Sequence, residues 1–342
     1  MKKSTRRLLR WGALFGGLAV VVVAMAYLAF YGQSLDKELS VYVGSKMEYA
    51  DVVEQIHPRL RTELHRKAFD FYANYLNLAE RRVVGHYKFK KNDNVIAMVR
   101  RIAIGEQTPV KLVVRGARTL PQLAGRLAKQ IDADSVTMLN ALRNKELCKE
   151  LGYVNDSIIA MFIPNTYEVY WNTTPEKLML RMKREYNVFW NKSRVAKLER
   201  CGLSKYQVII LAAIVYEESK KRDEMPIIAG VYINRLRTNM KLQADPTVKY
   251  AMGDFALRRI LFKHLKFESP FNTYVNKGLP PAPICIPSVA AIDAVLNYKE
   301  HDYVYFCARP EFDGRHNFAR TLEEHNANAR KYSEALNKLK IK

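Results

Sequence analysis

Residues 204–220 read SKYQVIILAAIVYEESK, and the fold turns on this stretch. Ser204 followed three residues later by Gln207 is a capping box, in which a hydroxyl and an amide satisfy each other's orphan N–H groups at a helix start. The spacing predicts a helix over 205–220. Its middle, Val208 to Val215, is apolar on every face, so the helix belongs inside a core with other elements around it. At about 100° per residue, Glu218 falls roughly 20° from the face of Leu211, seven positions earlier, so its carboxyl leaves the core helix in line with core side chains. Poor hydration there favours the protonated form and raises the pKa, which a general acid working near neutral pH requires. The competing reading is that Glu217 and Glu218 solvate the last turn or pair with Lys220, Lys221 or Arg222.

Downstream, Pro226 opens a helix over 225–236 that places Asn234 and Arg235 near its end. Residues 242–247, LQADPT, run extended into another helix with Asp245 expected as N-cap and Pro246 at the first helical position. Asp245 therefore has a structural job, and its side chain is also available to a cleft. The loops 269–274 (SPFNTY) and 278–283 (GLPPAP) are stiffened by proline, holding Asn272 and Tyr274 with little freedom. Residues 302–308 and 315–319 form a hairpin around Pro310 and Gly314, where His316 either orients a substrate or stacks within the hairpin. Thr321 with Glu324 caps a final helix. Upstream, residues 162–167 (FIPNTY), with Tyr167 at their end, read as a loop entering this second region.

A chain of 342 residues suggests about two globular units. Residues 38–131 alternate short β-branched runs with amphipathic helices, including one opened by Thr119 and Gln122, and read as a small α+β module. Connecting helices follow over 132–159, and residues 160–342 form the larger, mixed α+β region. The four cysteines are widely spaced with no C-x-x-C, which excludes a zinc ribbon or a disulfide-dense scaffold and leaves buried or lightly used thiols. Phosphate-loop, zinc-protease and serine-elbow motifs are missing from the sequence, so nucleotide, zinc and Ser-triad chemistries are disfavoured and no cofactor is implied.

The N-terminus decides the compartment. Residues 11–31 carry no charge, and 21 helical residues at ~1.5 Å each reach the thickness of a hydrocarbon layer. Residues 1–10 form a basic tail of five cations and no acid, which the positive-inside rule places in the cytoplasm. The expectation is a single-pass inner-membrane protein whose main body lies in the periplasm. The formal charge of +22 favours polyanions: nucleic acid, anionic lipid, or a wall glycan carrying peptide carboxylates. Outside the membrane, lipid headgroups and wall polymers are met more often than nucleic acid, so no nucleic-acid partner is expected.

The ordered blocks LAAIVYEES (211–219), AGVYINRL (229–236), LQADPTV (242–248), NTY (272–274), GLPP (278–281), DYVYF (302–306) and His325-Asn326 resemble the YceG-like family of endolytic murein transglycosylases. The resemblance implies a membrane helix over 11–31, a LysM-like α+β module over 38–131 and a catalytic domain over 160–342. It implies cleavage of the MurNAc-β-1,4-GlcNAc bond inside peptidoglycan strands, with Glu218 as the acid/base, 1,6-anhydroMurNAc as the product end, and a limiting effect on nascent chain length. Gln243, Asp245, Asn272, Tyr274, Tyr167 and His316 are then candidates for holding the sugar, and a peptidoglycan synthase complex is a candidate partner. Departures are Ser219 in place of a family threonine, Tyr216 in place of a glutamate, and Ile159-Ala160 in place of an acidic-Gly pair. A non-enzymatic, membrane-tethered wall-binding or scaffolding protein is the alternative.

Overall fold

The computed structural model describes residues 3–81, 83–257 and 260–338. Lys2 of the basic tail and residues 339–342 of the larger region lie outside the described residues. The chain divides into two compact units: one runs to Leu112 and adds Gln130–Asp132 and Glu168–Thr173, and the other takes Val113–Lys129, Ala133–Tyr167 and everything from Thr174 onward.

The first unit holds α1 (Lys3–Tyr31), β1 (Leu39–Val43), α2 (Tyr49–Ile56), α3 (Glu63–Tyr75), β2 (Gly85–Phe89) and α4 (Val95–Ala103). β1 and β2 pair antiparallel with Leu39 opposite Phe89 and Val41 opposite Tyr87. Their period-2 pattern buries Leu39, Val41 and Val43 on one face, against Val52, Ile56, Phe69, Met98 and Ile102 from the helices. Two of these helices start at side-chain caps, Thr62 for α3 and Asn94 for α4.

Arg10–Tyr31 of α1, 22 residues with mean hydropathy 2.4, is long and apolar enough to cross a membrane and is almost wholly uncovered. Its last turn is different. Ala29 enters the core of the first unit together with Leu35, Phe30 meets Phe71 edge-on at 6.0 Å, and Ser34 Oγ donates to Asp93 O at 2.7 Å.

β3 (Val110–Val114) pairs with β4 (Asn165–Val169), and the division between units falls within both strands. Residues 162–167, expected as loop, therefore lead into a strand. The partner lies far back in the chain, so no local pattern announces it. The second unit continues through α5 (Leu120–Ala128), α6 (Ser135–Arg143), α7 (Lys145–Glu150), α8 (Pro175–Phe189), α9 (Lys192–Cys201) and α10 (Lys205–Glu218). Beyond these come α11 (Met225–Arg237), α12 (Asp245–Met252), α13 (Phe262–Leu265), α14 (Val289–Leu296), the antiparallel hairpin β5 (Tyr305–Ala308) and β6 (His316–Ala319), and α15 (Leu322–Lys338).

α10 forms the centre. Every residue from Val208 to Val215 is at most 2% exposed, enclosed by α11, α12 and α14. Ser204 Oγ accepts from Gln207 N while Gln207 Oε1 accepts from Ser204 N, the expected box. The helix stops two residues short of the expected end because Ser219 turns extended (φ −142°, ψ 143°). Gly230 lets α11 approach residues 299–301 closely: an added Cβ would collide with Lys299 O, and His301 Nε2 pairs with Ile227 O at 2.9 Å. The four cysteines are free thiols, three of them buried.

Candidate active site

The two acids at the end of α10 part company. Glu217 Oε2 accepts from Arg118 Nη2 at 2.8 Å, with Lys220 Nζ 3.7 Å from its other oxygen, the ion pairing expected of a surface acid. Glu218 has no such partner among the described residues. Its Oε1 accepts from the phenol of Tyr232 at 2.7 Å, a contact between α10 and α11, and Oε2 has no protein hydrogen-bond partner among the described residues.

Glu218 is surrounded by protein yet keeps a partial opening to solvent. Its pKa rises from 4.5 to about 7, chiefly because burial disfavours the anion, helped by the negative charge of Asp245 and opposed by the Tyr232 hydrogen bond and the cations Arg235 and Lys249. Its place on the last turn of a helix adds the negative end of the helix dipole, which acts in the same direction. Tyr232 is fully buried, and burial beside this carboxyl holds its phenol far above the ordinary range, so it stays protonated and donates to Glu218.

Arg235, one turn beyond Tyr232, organises the next segment. It is 7% exposed and donates to Val304 O (2.6 Å), Leu242 O (2.7 Å), Lys241 O (3.2 Å) and Gln243 Oε1 (3.3 Å). A buried guanidinium without an acid partner is costly, and here carbonyl oxygens and the Tyr305 face, 5.4 Å away, take the place of a carboxylate. The segment it fixes carries Gln243 in the left-handed region (φ 52°), a conformation that costs a non-glycine residue about 1 kcal/mol. Gln243 N donates to Thr273 O at 3.1 Å, which pins this segment to the loop bearing Tyr274.

Asp245 is not the N-cap. Ala244 occupies that position and Asp245 makes no capping bond. Its Oδ1 instead accepts from Tyr274 OH at 2.7 Å, so a longer-range partner takes the carboxylate that sequence assigned to the helix end. Asp245 is exposed, and with Tyr274 it lines a cavity of about 560 Å³ walled by Leu261 and Phe262. Asn272 is fully buried: Nδ2 donates to Leu265 O (3.0 Å) and Phe267 O (2.7 Å), and Oδ1 accepts from Tyr274 N (2.9 Å). It braces the loop that presents Tyr274.

His316 Nδ1 lies 2.9 Å from Glu224 Oε2, and Glu224 also accepts from Ser219 Oγ at 3.2 Å. Phe306 stands edge-on to both His316 and Tyr232, at 5.2 and 5.8 Å, so the hairpin backs the Tyr232 side of the cluster. Tyr167 stands apart. It is 5% exposed, its hydroxyl donates to Ile163 O at 2.7 Å, and burial pushes its pKa up to about 12.

The structure thus sets Asp245 and Tyr274 on one cavity wall, with Gln243 on the segment tied to the Tyr274 loop and Glu218 near enough to feel the charge of Asp245, while Asn272 braces that loop and His316 the Tyr232 side. Sequence reasoning missed Tyr232, Glu224 and the role of Arg235. Tyr232 and Arg235 are three apart on a largely apolar helix, a spacing that puts polar groups on one buried face and was the available signal. Among the described residues, no cluster of His, Cys, Asp and Glu is suited to a metal ion.

A part-buried carboxyl with its pKa raised to about 7 and one oxygen unengaged has the properties that general acid/base chemistry on a glycosidic bond requires. The YceG-like family profile matches residues 41–331, and the chain belongs to this family. It is 28% identical over 347 residues, covering 93% of this chain and 92% of the relative, to an endolytic murein transglycosylase of Bacillus subtilis (strain 168). It is 25% identical to an endolytic murein transglycosylase of Streptococcus pneumoniae (strain ATCC BAA-255 / R6), matching 84% of this chain and 55% of that longer relative. A crystal structure of a yceG-like protein from Listeria monocytogenes superposes with a TM-score of 0.57 at 26% identity, over 85% of this chain and 98% of that one.

Proposed function

We propose that this chain is a membrane-anchored endolytic lytic transglycosylase that cuts the MurNAc-β-1,4-GlcNAc bond within peptidoglycan strands, leaves 1,6-anhydroMurNAc ends and so limits nascent glycan length. The observation that carries the proposal is Glu218: a carboxyl with pKa near 7, one oxygen fixed by Tyr232 and the other unengaged.

The Tyr232 hydroxyl occupies Oε1, which leaves the acid proton on Oε2. That proton passes to the oxygen of the leaving GlcNAc as the bond to MurNAc C1 breaks. The carboxylate so formed takes the proton of the MurNAc C6 hydroxyl while that oxygen closes on C1, giving the anhydro ring and restoring the acid. Charge on Glu218 appears only between the two transfers. The Tyr232 hydrogen bond and the fields of Arg235 and Lys249 stabilise it then, while burial and Asp245 disfavour it before and after. Gln243, Asp245 and Tyr274 grip the sugar, Asn272 holds Tyr274 in place, and His316 supports the Tyr232 side. Tyr167 serves the β4 segment at a remove.

The β1–α2–α3–β2 order, with its strands antiparallel and side by side, supports a LysM-like wall-binding role for the first unit. Arg10–Tyr31 supports a single-pass anchor, with the basic end cytoplasmic, the catalytic unit on the outer side and membrane lipid as a standing neighbour. A peptidoglycan synthase complex is the partner this placement suits. The test is digestion of purified sacculi by the full chain and by Glu218→Gln, with mass spectrometry of the products. Anhydro-ended fragments from the wild type alone are expected. Equal release by the variant, reducing ends in place of anhydro ends, or sacculus binding with no cleavage would each defeat the reading.

A further inference from the structure

A large cavity lies at the other end of α10. About 840 Å³ in volume, it is lined by Tyr153, Tyr186, Tyr206 and Tyr250 with Lys183 and Lys205. Resting on the murein reading above, we propose that this cavity binds the carboxylate-bearing peptide stem of the peptidoglycan strand whose glycan bond is presented to Glu218.

The charge pattern argues for an anion with an apolar body. Lys183 is part-buried, its Nζ 4.9 Å from the Tyr153 ring centre and 5.7 Å from that of Tyr186, and it donates to Leu151 O at 2.6 Å. An ammonium has three protons, so one carbonyl leaves it short of acceptors. Burial and the like charge of Lys205 both disfavour the Lys183 cation, and an incoming carboxylate would relieve both. Lys205 is the first residue of α10, whose positive dipole end opens beside it. Among the described residues neither lysine belongs to an ion pair. Asp156, exposed on the same wall, sets one negative charge against two positive ones.

The tyrosines are held in place. Tyr206 OH donates to Pro281 O at 2.7 Å, and Tyr153 meets Tyr186 edge-on at 6.3 Å. A neutral sugar would use the rings and leave both cations unanswered, whereas a stem peptide offers carboxylates for the lysines and methyl-bearing residues for the rings. The cavity also shares a wall residue with a cleft at the Glu217 end of α10. Tyr250 of α12 lines both it and a smaller cleft formed with Arg118, Glu217 and Lys249, and α12 begins at Asp245. Lys205 and Glu218 mark opposite ends of one helix, about 20 Å apart at 1.5 Å per residue. A strand cut at Glu218 would thus be read through a stem some way along it.

The test uses the full chain in two arms. In the first, calorimetry follows a synthetic stem tripeptide with free carboxylates and the same peptide with every carboxyl amidated. Amidation, Lys205→Gln and Lys183→Met are each expected to weaken binding about fivefold, the size of one partly screened charge contact. Lys205 is exposed, so its variant keeps the fold even where Lys183→Met does not. In the second, release of anhydro ends is compared on strands with stems and on strands stripped by an amidase. The wild type is expected to prefer stem-bearing strands, and Lys205→Gln to narrow that preference by a similar factor. Equal binding of the free and amidated peptides, or a preference untouched by Lys205→Gln, overturns the inference while cleavage itself stands. Failure to cleave either strand defeats the transglycosylase reading instead, and the calorimetric arm then still decides whether the cavity takes a peptide carboxylate.

Discussion

Replacing Glu218 by glutamine should stabilise the second unit, and only above a certain pH. A rise from 4.5 to about 7 means that the native fold holds the proton more tightly than the unfolded chain does. The sign follows from linkage: the proton's contribution to stability is complete below pH 4.5 and is lost as pH climbs through about 7, beyond which the fold contains a poorly solvated carboxylate. The difference amounts to ~3 kcal/mol at full value, and solvent reaching the part-buried carboxyl brings it to about 2 kcal/mol. For a unit of this size that is a shift in Tm of roughly 4–8 °C. Glutamine keeps the shape and still accepts from Tyr232 but carries no charge. Thermal unfolding followed at pH 4 and pH 8.5 should therefore show variant and wild type alike at the lower pH and the variant higher at the upper one. A gap that is the same at both values, or one that favours the wild type at pH 8.5, would refute the claim that burial controls this acid, whatever the activity assays show.

Tyr232→Phe removes the hydrogen bond that favours the Glu218 anion. The alkaline limb of the pH–rate profile for anhydro-end release should move upward by about one unit, the equivalent of a charge-assisted hydrogen bond of about 1.5 kcal/mol, and an unmoved limb would speak against the contact. Arg235→Ala strands the carbonyls of Lys241, Leu242 and Val304 and empties a buried volume, so denaturant unfolding should show a loss of about 3 kcal/mol or more, with Gln243 freed from its left-handed conformation. Tyr274→Phe releases Asp245 and should raise KM on purified strands several-fold with little change in the temperature of unfolding, since the bond it loses is at the surface.

The central helix was legible because its signal is local and redundant: a capping box followed by eight apolar residues leaves one interpretation, and Glu218 inherits its position from that helix. What joins Glu218 to Tyr232 is the packing of α10 on α11, which no periodicity encodes, and so the group that orients the acid went unseen. Asp245 shows the same limit at closer range. A residue ahead of proline at a helix start invites assignment as a cap, but Tyr274, 29 positions away, competes for the carboxylate and takes it. Asn272 was legible as a rigidly held polar side chain in a proline-stiffened loop. That it turns inward to two carbonyls upstream of its loop and one N–H within it depends on where the chain folds back, which composition does not record. The strand Asn165–Val169 was unreadable for the reason that β3, its mate, is distant in sequence.

The last turn of α1 does not end in a tether. Ala29 and Leu35 are core residues of the first unit and Ser34 is bonded to Asp93, so the apolar helix and the folded body beyond it share one hydrophobic interior. With Arg10–Tyr31 seated in a bilayer, that unit would have a fixed stand-off from the lipid surface, and a change in bilayer thickness or helix tilt would swing the whole unit like a lever, with no slack in between to absorb it.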